Sequence, residues 1–289
     1  MASVSTSIVV LTHNKLACTR ICLPTLLETP GQDWELIVVD NGSTDGTRKW
    51  LDRFRERCAG KGIAMRAIHN HGNTGCSTAR NQGAAEASGN KLVFLDNDVA
   101  LRSRSWLQQL TGRMDAGRKI AVAGPKLVYP SPPYPIQCAG VGISRTGRVL
   151  FRGRGEPRGS AEFNAEIDVQ TLVSACFMFR RDIFEKAGGF DPAFNPVEFE
   201  DFDLCYRARS LGYSARYVPS VEMYHLESVT TAGTPSLPNT ALVIRHGLLF
   251  KKRWKHMFEK EEGPPDHETR WRRIPPTRLD SVGTLPLIE

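Results

Sequence analysis

Two carboxylates one residue apart, Asp96 and Asp98, close the apolar run Lys91-Leu92-Val93-Phe94-Leu95, and no other pair in the chain has a plainer chemical use. A run of strand length that ends in acids reads as a buried parallel strand delivering them to the carboxyl edge of a sheet. That edge is where open α/β sheets bind ligands. Side chains alternate along a strand, so Asp96 and Asp98 point the same way, and two hard oxygen ligands side by side suit Mg²⁺ or Mn²⁺ carrying a diphosphate. Asp-Asn-Asp is equally an ordinary turn sequence, and the motif alone does not separate the two readings.

The elements that must position such a site precede it. Residues 7–11 read as a first strand, with Thr12-His13-Asn14 as a turn whose Asn14 caps a helix to about residue 28, kinked or shortened by Pro24. Residues 35–39 read as a second strand ending in Asp40-Asn41-Gly42-Ser43-Thr44-Asp45-Gly46. Trp50, Leu51, Phe54 and Cys58 follow at helical spacing. A third strand over 63–68 leads through an Asn- and Gly-rich turn to a small-residue helix over about 76–88, closed by Gly89. Repeated strand-helix alternation predicts an α/β fold with a doubly wound, Rossmann-like, mainly parallel sheet. Right-handed crossovers then stack the strand ends Thr12, Asp40, Asn70 and Asp96 along one edge, a crevice able to hydrogen-bond a ribose or base and hold a cation.

The second half is less regular. Trp106, Leu107, Leu110 and Met114 mark a helix and 120–124 a strand. The Gly-, Pro- and Arg-rich stretch from Tyr129 to Ser160 reads as an insertion or flap with a hairpin at Ser144-Arg145-Thr146-Gly147. Residues 169–179 read as one apolar strand with Ser174-Ala175-Cys176 in its middle. Glu200-Asp201 then opens a helix with Leu204, Ala208 and Leu211 on one face, ended by Gly212. Acids in a first helical turn are stabilised by the helix dipole by about 0.3–1 kcal/mol and need no chemistry to explain them. Two short strands, 213–218 and 221–225, follow.

Composition narrows the class. With 40% apolar and 24% charged residues in 289, the chain is of globular type. Its apolar runs are far too short to span a bilayer and no signal-like segment stands out, so a cytoplasmic location is expected. Seven cysteines without a CxxC pair argue against a disulfide framework or zinc site, and Cys18 and Cys22 read as small buried thiols. The formal charge of +7 is concentrated between Arg245 and Arg273 and comes with no nucleic-acid-binding motif, so nucleic acid is not an expected partner.

Six segments in order carry a resemblance: Ile8-Val9-Val10-Leu11-Thr12-His13-Asn14, Val38-Val39-Asp40-Asn41-Gly42-Ser43-Thr44-Asp45-Gly46, Ala79-Arg80-Asn81-Gln82-Gly83, Phe94-Leu95-Asp96-Asn97-Asp98, Gly189-Phe190-Asp191 and Glu200-Asp201-Phe202-Asp203-Leu204. Together they resemble family 2 glycosyltransferases of the GT-A fold, in the rhamnosyltransferase- and galactofuranosyltransferase-like branch, over roughly residues 5–258. The resemblance implies inverting transfer of a sugar from a nucleotide diphosphate sugar, with UDP expected first, dTDP second and GDP also open, and with Mn²⁺ or Mg²⁺ on the diphosphate. It implies a catalytic unit over 1–238, its donor half 1–125 and its acceptor and catalytic half 126–238. Thr12, Asn14, Asp40, Asn41, Arg80, Asp96 and Asn97 are the implied nucleotide-side residues. Asp98, Asp96 and His225 are the implied metal ligands, the imidazole favouring Mn²⁺. Asp201 is the implied base, with Glu200 its acidic partner. The segment Ser174, Ala175, Cys176 and the flap are candidate acceptor-side surfaces, for a glycan or lipid-linked acceptor. A nucleotidyltransferase would share sheet and acids, yet the first strand lacks a glycine- and basic-rich loop after it. A non-catalytic nucleotide-sugar-binding protein would not need Asp98, Asp201 and His225 together.

Residues 239–262 read as a basic amphipathic helix, with Leu242, Leu249, Trp254, Met257 and Phe258 among Arg245, Lys251, Lys252, Arg253 and Lys255. Such a helix either lies on an anionic membrane surface, a peripheral contact, or docks on the sheet with its basic face in solvent. The Pro-rich, charged residues 263–289 are expected to form a flexible tail.

Overall fold

A computed structural model describes residues 4–226, 239–275 and 279–289. The chain begins with β1 (Thr6–Thr12), α1 (Leu16–Cys22), β2 (Trp34–Asp40), α2 (Thr47–Gly60), β3 (Ala64–His69), α3 (Cys76–Glu86) and β4 (Lys91–Asp96). Then come β5 (Val99–Leu101), α4 (Trp106–Ala116), β6 (Ile120–Val128), β7 (Ile136–Cys138), β8 (Val141–Ile143), β9 (Val149–Phe151) and β10 (Ile167–Val169). The last elements are β11 (Cys176–Arg180), α5 (Arg181–Lys186), α6 (Glu200–Ser210), β12 (Ser214–His225) and α7 (Asn239–Phe258).

Ten of the described strands form one large sheet in the order β10-β12-β6-β11-β4-β1-β2-β3, with β5 added to β12 and β7 to β6, while β8 and β9 pair separately. The block β4-β1-β2-β3 is parallel, as strand-helix alternation predicts, and β6 pairs in parallel with β12. Between the two blocks β11 is antiparallel to both neighbours, so β4, β6 and β12 all run towards the same edge. Both faces are covered. Ile8, Val10, Leu36 and Val38 face Leu51, Phe54, Trp106 and Leu110, whereas Val9, Ile37, Val39 and Phe94 face Ala79, Ala84, Phe184 and Phe190. This explains why the strands read as continuous apolar runs. At Gly83 a Cβ would lie 2.3 Å from Val9 Cγ1, which accounts for the small residues of α3: the helix axis sits close on the sheet.

Several expected elements differ. Asn14 does not cap α1: it has φ +57°, Lys15 occupies the cap position, and Asp45 Oδ2 accepts from the Leu16 amide at 2.8 Å. The helix expected to reach residue 28 changes to a 3-10 turn over Leu23–Glu28, with Pro24 in its first turn, where the missing N–H has no partner to lose. The expected strand 169–179 is two strands, β10 and β11, joined by a crossing segment that holds Ser174 and Ala175. The two strands expected over 213–225 are one, β12, with a register shift between Val218 and Glu222. Leu204 and Ala208 are buried as expected, but Leu211 is 49% exposed.

The flap contains the β8-β9 hairpin around the expected turn, and α7 docks through His246, Phe250, Trp254 and Phe258. The segment expected as a flexible tail runs along the body where it is described. Leu279, Val282 and Leu285 pack beside Cys18, Cys22 and Tyr224, and the Ile288 amide donates to the Arg102 carbonyl at 2.6 Å. Apolar residues scattered among the prolines give this segment something to bury.

Candidate active site

The parallel register sets Thr12 beside Asp40, Asp40 beside His69, and Leu11 beside Asp96, so the expected strand ends do share one edge. Their side chains divide sharply in what they do. Thr12 is buried with its hydroxyl 3.4 Å from that of Thr19. Asn97 is also buried and donates to Thr19 Oγ1 at 2.9 Å, so both fasten α1 to the sheet. Asn41 accepts from Asn70 Nδ2 and from the Thr74 amide and hydroxyl, and donates to Asn73 Oδ1. Its amide group ties the loops after β2 and β3 together, which uses the hydrogen-bonding capacity a nucleotide would need. Asn14 accepts from the Thr44 amide at 2.8 Å and likewise holds the loop after β2. Asp40 accepts from the Ser43 amide at 2.9 Å and faces His69 Nδ1 at 3.1 Å. His69 is a site-edge residue that the sequence pattern did not single out.

The acids of β4 lie in a different setting. Ligand atoms of Asp96, Asp98 and His225 lie within 4.8 Å of one another. His225 closes β12, and β12 pairs with β5 so that His225 sits opposite Val99, the residue after Asp98. Its Nδ1 is 2.6 Å from Gln137 Oε1, and Gln137 Nε2 lies 3.4 Å from the His225 carbonyl. A carboxamide oxygen accepts, so Nδ1 carries a proton, and Nε2 is turned to Asp98 Oδ1 at 3.3 Å. In the neutral imidazole that nitrogen is a ligand atom, and one imidazole with two carboxylates is a donor set for Mn²⁺ or Mg²⁺. Gln137, buried in the flap, orients that imidazole as outer-shell partners of metal-binding histidines do. Sequence reasoning missed it because nothing in the spacing of the flap marks it.

Arg80 does not lie open to a diphosphate. It is buried, its Nη2 donates to Asp96 Oδ1 and its Nη1 to Glu200 Oε1, both at 2.7 Å, and it stacks 5.4 Å above the Phe190 ring. The guanidinium therefore links the acid ending β4 to the acid opening α6. The crossing segment makes a second link: the Asp96 amide donates to the Ala175 carbonyl at 3.0 Å, and the Ser174 amide donates to Asp201 Oδ2 at 2.9 Å. Ser174 and Ala175 thus space Asp201 from Asp96, while Cys176 is buried in β11 with its thiol pushed up by burial and by Asp96. Burial, with Glu200 adjacent, raises the Asp201 carboxyl well above the usual carboxylate range, and the same two causes push Glu198 up to about 7. A carboxylate held this way is a stronger base than one in water.

Behind the site, Asp203 is fully buried and accepts from Trp254 Nε1 at 2.9 Å, Arg253 Nη1 at 3.1 Å and Arg207 Nε at 2.8 Å. His246 Nδ1 lies 2.9 Å from the Val197 carbonyl, so α7 grips both the loop before α6 and its first turn. Glu198 and Phe199 in that loop have φ of +86° and +69°, a backbone that packing must hold.

Sheet order, the antiparallel strand beside β4 and the acids at the shared edge define a protein of the GT-A fold. The family model Glycosyl transferase family 2 matches residues 7–188, and the chain belongs to that family. Protein y4gI of Sinorhizobium fredii (strain NBRC 101917 / NGR234) is 28% identical over 257 residues, covering 86% of this chain and 27% of its own length. The O-antigen biosynthesis protein RfbC of Myxococcus xanthus is 31% identical over 160 residues, covering 52% of this chain and 12% of RfbC. Among solved structures, GalNAc-T7 with UDP, GalNAc and Mn²⁺ superposes with a TM-score of 0.69 at 16% identity, covering 89% of this chain and 49% of that one. The chain thus spans well under half of both curated relatives. Asp201 and His225 lie beyond the span of the family model.

Proposed function

We propose that this chain is an inverting, metal-dependent glycosyltransferase that moves a sugar from a nucleotide diphosphate sugar to an acceptor hydroxyl. The observation that carries the reading is Arg80, whose two nitrogens bind Asp96 on the cation side and Glu200 on the base side, so that one buried group sets the spacing of two sites. Asp201 accepts the proton of the acceptor hydroxyl as its oxygen bonds to the anomeric carbon, and the bond from that carbon to the diphosphate breaks on the opposite face. Asp40, at the edge of the β2 end, faces the base or ribose, and the rigid strand ends hold the donor in place. A divalent ion bound by Asp98, His225 and Asp96 would offset charge on the departing diphosphate. UDP is the first choice of nucleotide and dTDP the second. The UDP and Mn²⁺ in the GalNAc-T7 structure support the donor and ion classes.

Residues 1–125 form the donor half of the unit and 126–238 the acceptor half. The O-antigen role of RfbC supports a glycan or lipid-linked acceptor in polysaccharide assembly. No helix among the described residues is long and apolar enough to cross a membrane. A peripheral contact through α7 fits a lipid-linked acceptor. The decisive test is initial-rate transfer beside calorimetric titration of nucleoside diphosphates with and without Mn²⁺. Asp201→Asn should slow transfer at least about a hundredfold while keeping nucleotide binding. Asp98→Ala should remove the Mn²⁺-dependent part of that binding. Near wild-type transfer by Asp201→Asn would make another residue the base, and loss of nucleotide binding in both Asp201→Asn and Glu200→Gln would mean that this pair is structural.

A further inference from the structure

A cavity of about 580 Å³ opens between the β8-β9 hairpin, β10 and residues 262–272, outside the residues used so far. Two short paths join it to the catalytic edge. On one side Phe151, at the end of β9, packs its ring 6.4 Å from that of Phe202, the residue after Asp201. On the other, the turn after β9 bonds to β7, the Ile136 amide donating to the Glu156 carbonyl at 2.9 Å, next to the Gln137 that orients His225. The cavity is therefore one ring contact removed from the residue after Asp201 and one residue removed from Gln137, a separation that a distal sugar of a longer acceptor chain would span.

Its lining has a particular chemistry. Trp271 is 58% exposed, yet its ring is fixed from two directions: the Arg154 guanidinium lies 3.9 Å above it, and Phe151 meets it edge-on at 5.3 Å. Arg154 is itself held by the Arg272 carbonyl at 3.0 Å, and the loop backbone presses so close that a Cβ on Gly155 would lie 2.9 Å from the Arg272 guanidinium. A large ring, 58% exposed beside a cavity and held by two neighbours, offers an apolar surface on which a ligand can stack. Four arginines and five carboxylates line the cavity, a near balance that gives a phosphate or nucleotide no net attraction. Paired donors and acceptors beside an aromatic face suit a neutral, hydroxyl-rich ring instead, whose C–H face lies on the indole while its hydroxyls exchange hydrogen bonds with guanidinium and carboxylate groups.

We infer that this cavity is the acceptor subsite and that it takes a neutral sugar residue of a glycan chain on the Trp271 ring. The inference rests on the transferase reading above and names the acceptor that Asp201 would deprotonate. The test is calorimetric titration of the full chain, without donor, with neutral trisaccharides of glucose, galactose, mannose, rhamnose and N-acetylglucosamine, and with inorganic phosphate as the anionic control. At least one saccharide should bind, with affinity lowered about tenfold in Trp271→Ala and kept within about threefold in Trp271→Phe. Nucleoside diphosphate binding with Mn²⁺ should be equal in all three proteins. Absence of binding by the whole panel, equal binding by Trp271→Ala, or displacement of the saccharide by phosphate would each overturn the assignment. Nucleotide titration on the same preparations keeps the two readings apart: a protein that binds saccharide and no nucleotide defeats the transferase reading alone, and the reverse defeats the subsite alone.

Discussion

At the scale of single residues, the site is a set of acids whose surroundings give each a different task. Asp96 is paired with Arg80, Asp203 accepts from three donors of α6 and α7, and Asp201 accepts from the Ser174 and Phe202 amides, with Glu200 beside it. Burial, then Glu200, raises the Asp201 carboxyl, and the consequences have a definite sign. A base works deprotonated, so kcat should rise with pH through a window above the usual carboxylate range, and Asp201→Asn should lose that limb. For stability, a raised acid means that the folded state holds a proton the unfolded chain has released. Wild-type stability therefore falls as pH climbs from the ordinary carboxyl pKa of about 3.9 towards the folded value. In urea titrations Asp201→Asn should gain on the wild type at pH 7 and much less at pH 4. An equal difference at the two pH values would show that the carboxyl is not perturbed. Asp96 and Asp98 stood out by type and spacing, Asp201 and His225 only through the family resemblance, and the fold brings Asp96, Asp98 and His225 together. Type and spacing do not separate two uses of Asn41, Asn97 and Thr12, since an amide or hydroxyl that can hold a ribose holds a neighbouring loop equally well. Gln137 was illegible because its contact with His225 exists only once the flap folds back on β6.

At the scale of elements, periodicity exposed the parallel half of the sheet and the helices between its strands. It failed where a strand's neighbours rather than its own residues decide its length. The run 169–179 is mostly apolar, yet it leaves the sheet to cross from β12 to β4, and the Ser174 amide and Ala175 carbonyl freed by that crossing are those that bond the Asp201 carboxylate and the Asp96 amide. Helix α7 is a second case: its apolar stripe is readable, but its grip on Asp203 is not. Trp254→Phe keeps the ring in place and removes one donor from a fully buried carboxylate, a change that typically costs about 1–3 kcal/mol. The melting temperature should fall by roughly 2–4 °C per kcal/mol. Because Asp203 lies two residues from Asp201, kcat should fall with it while Mn²⁺-dependent nucleotide affinity stays level. A melting temperature within half a degree of the wild type, by scanning calorimetry, would mean that Arg253 and Arg207 satisfy Asp203 unaided.

At the scale of the whole molecule, the charge of +7 becomes meaningful only after the structure removes the cations already engaged. Arg253 is spent on Asp191 at 2.6 Å and on Asp203, and Lys251 is partly buried against the hairpin at Gly147. What α7 turns outward is Arg245, Lys252 and Lys255 together with Ile244 at 59% and Leu248 at 64% exposure. Two bare aliphatic side chains beside three free cations on one helix face match an anionic lipid surface, the apolar pair entering the headgroup boundary while the charges meet phosphates. The sequence supplied both halves of that pattern and could not sort them, since the docked and the outward residues of α7 share one composition. The wild type should therefore co-sediment with anionic vesicles at low salt and less with neutral ones, losing the interaction as salt shortens the screening length to about 8 Å. Replacing Arg245, Lys252 and Lys255 by Gln should weaken it by about 1 kcal/mol per charge, and Lys251→Gln should matter less. Ile244 and Leu248 changed to Ser should weaken binding at high salt too, since apolar insertion is not screened. If the triple Gln variant sediments like the wild type, or if neutral vesicles bind as well as anionic ones, the outward face of α7 is no membrane contact and its cations serve only solubility.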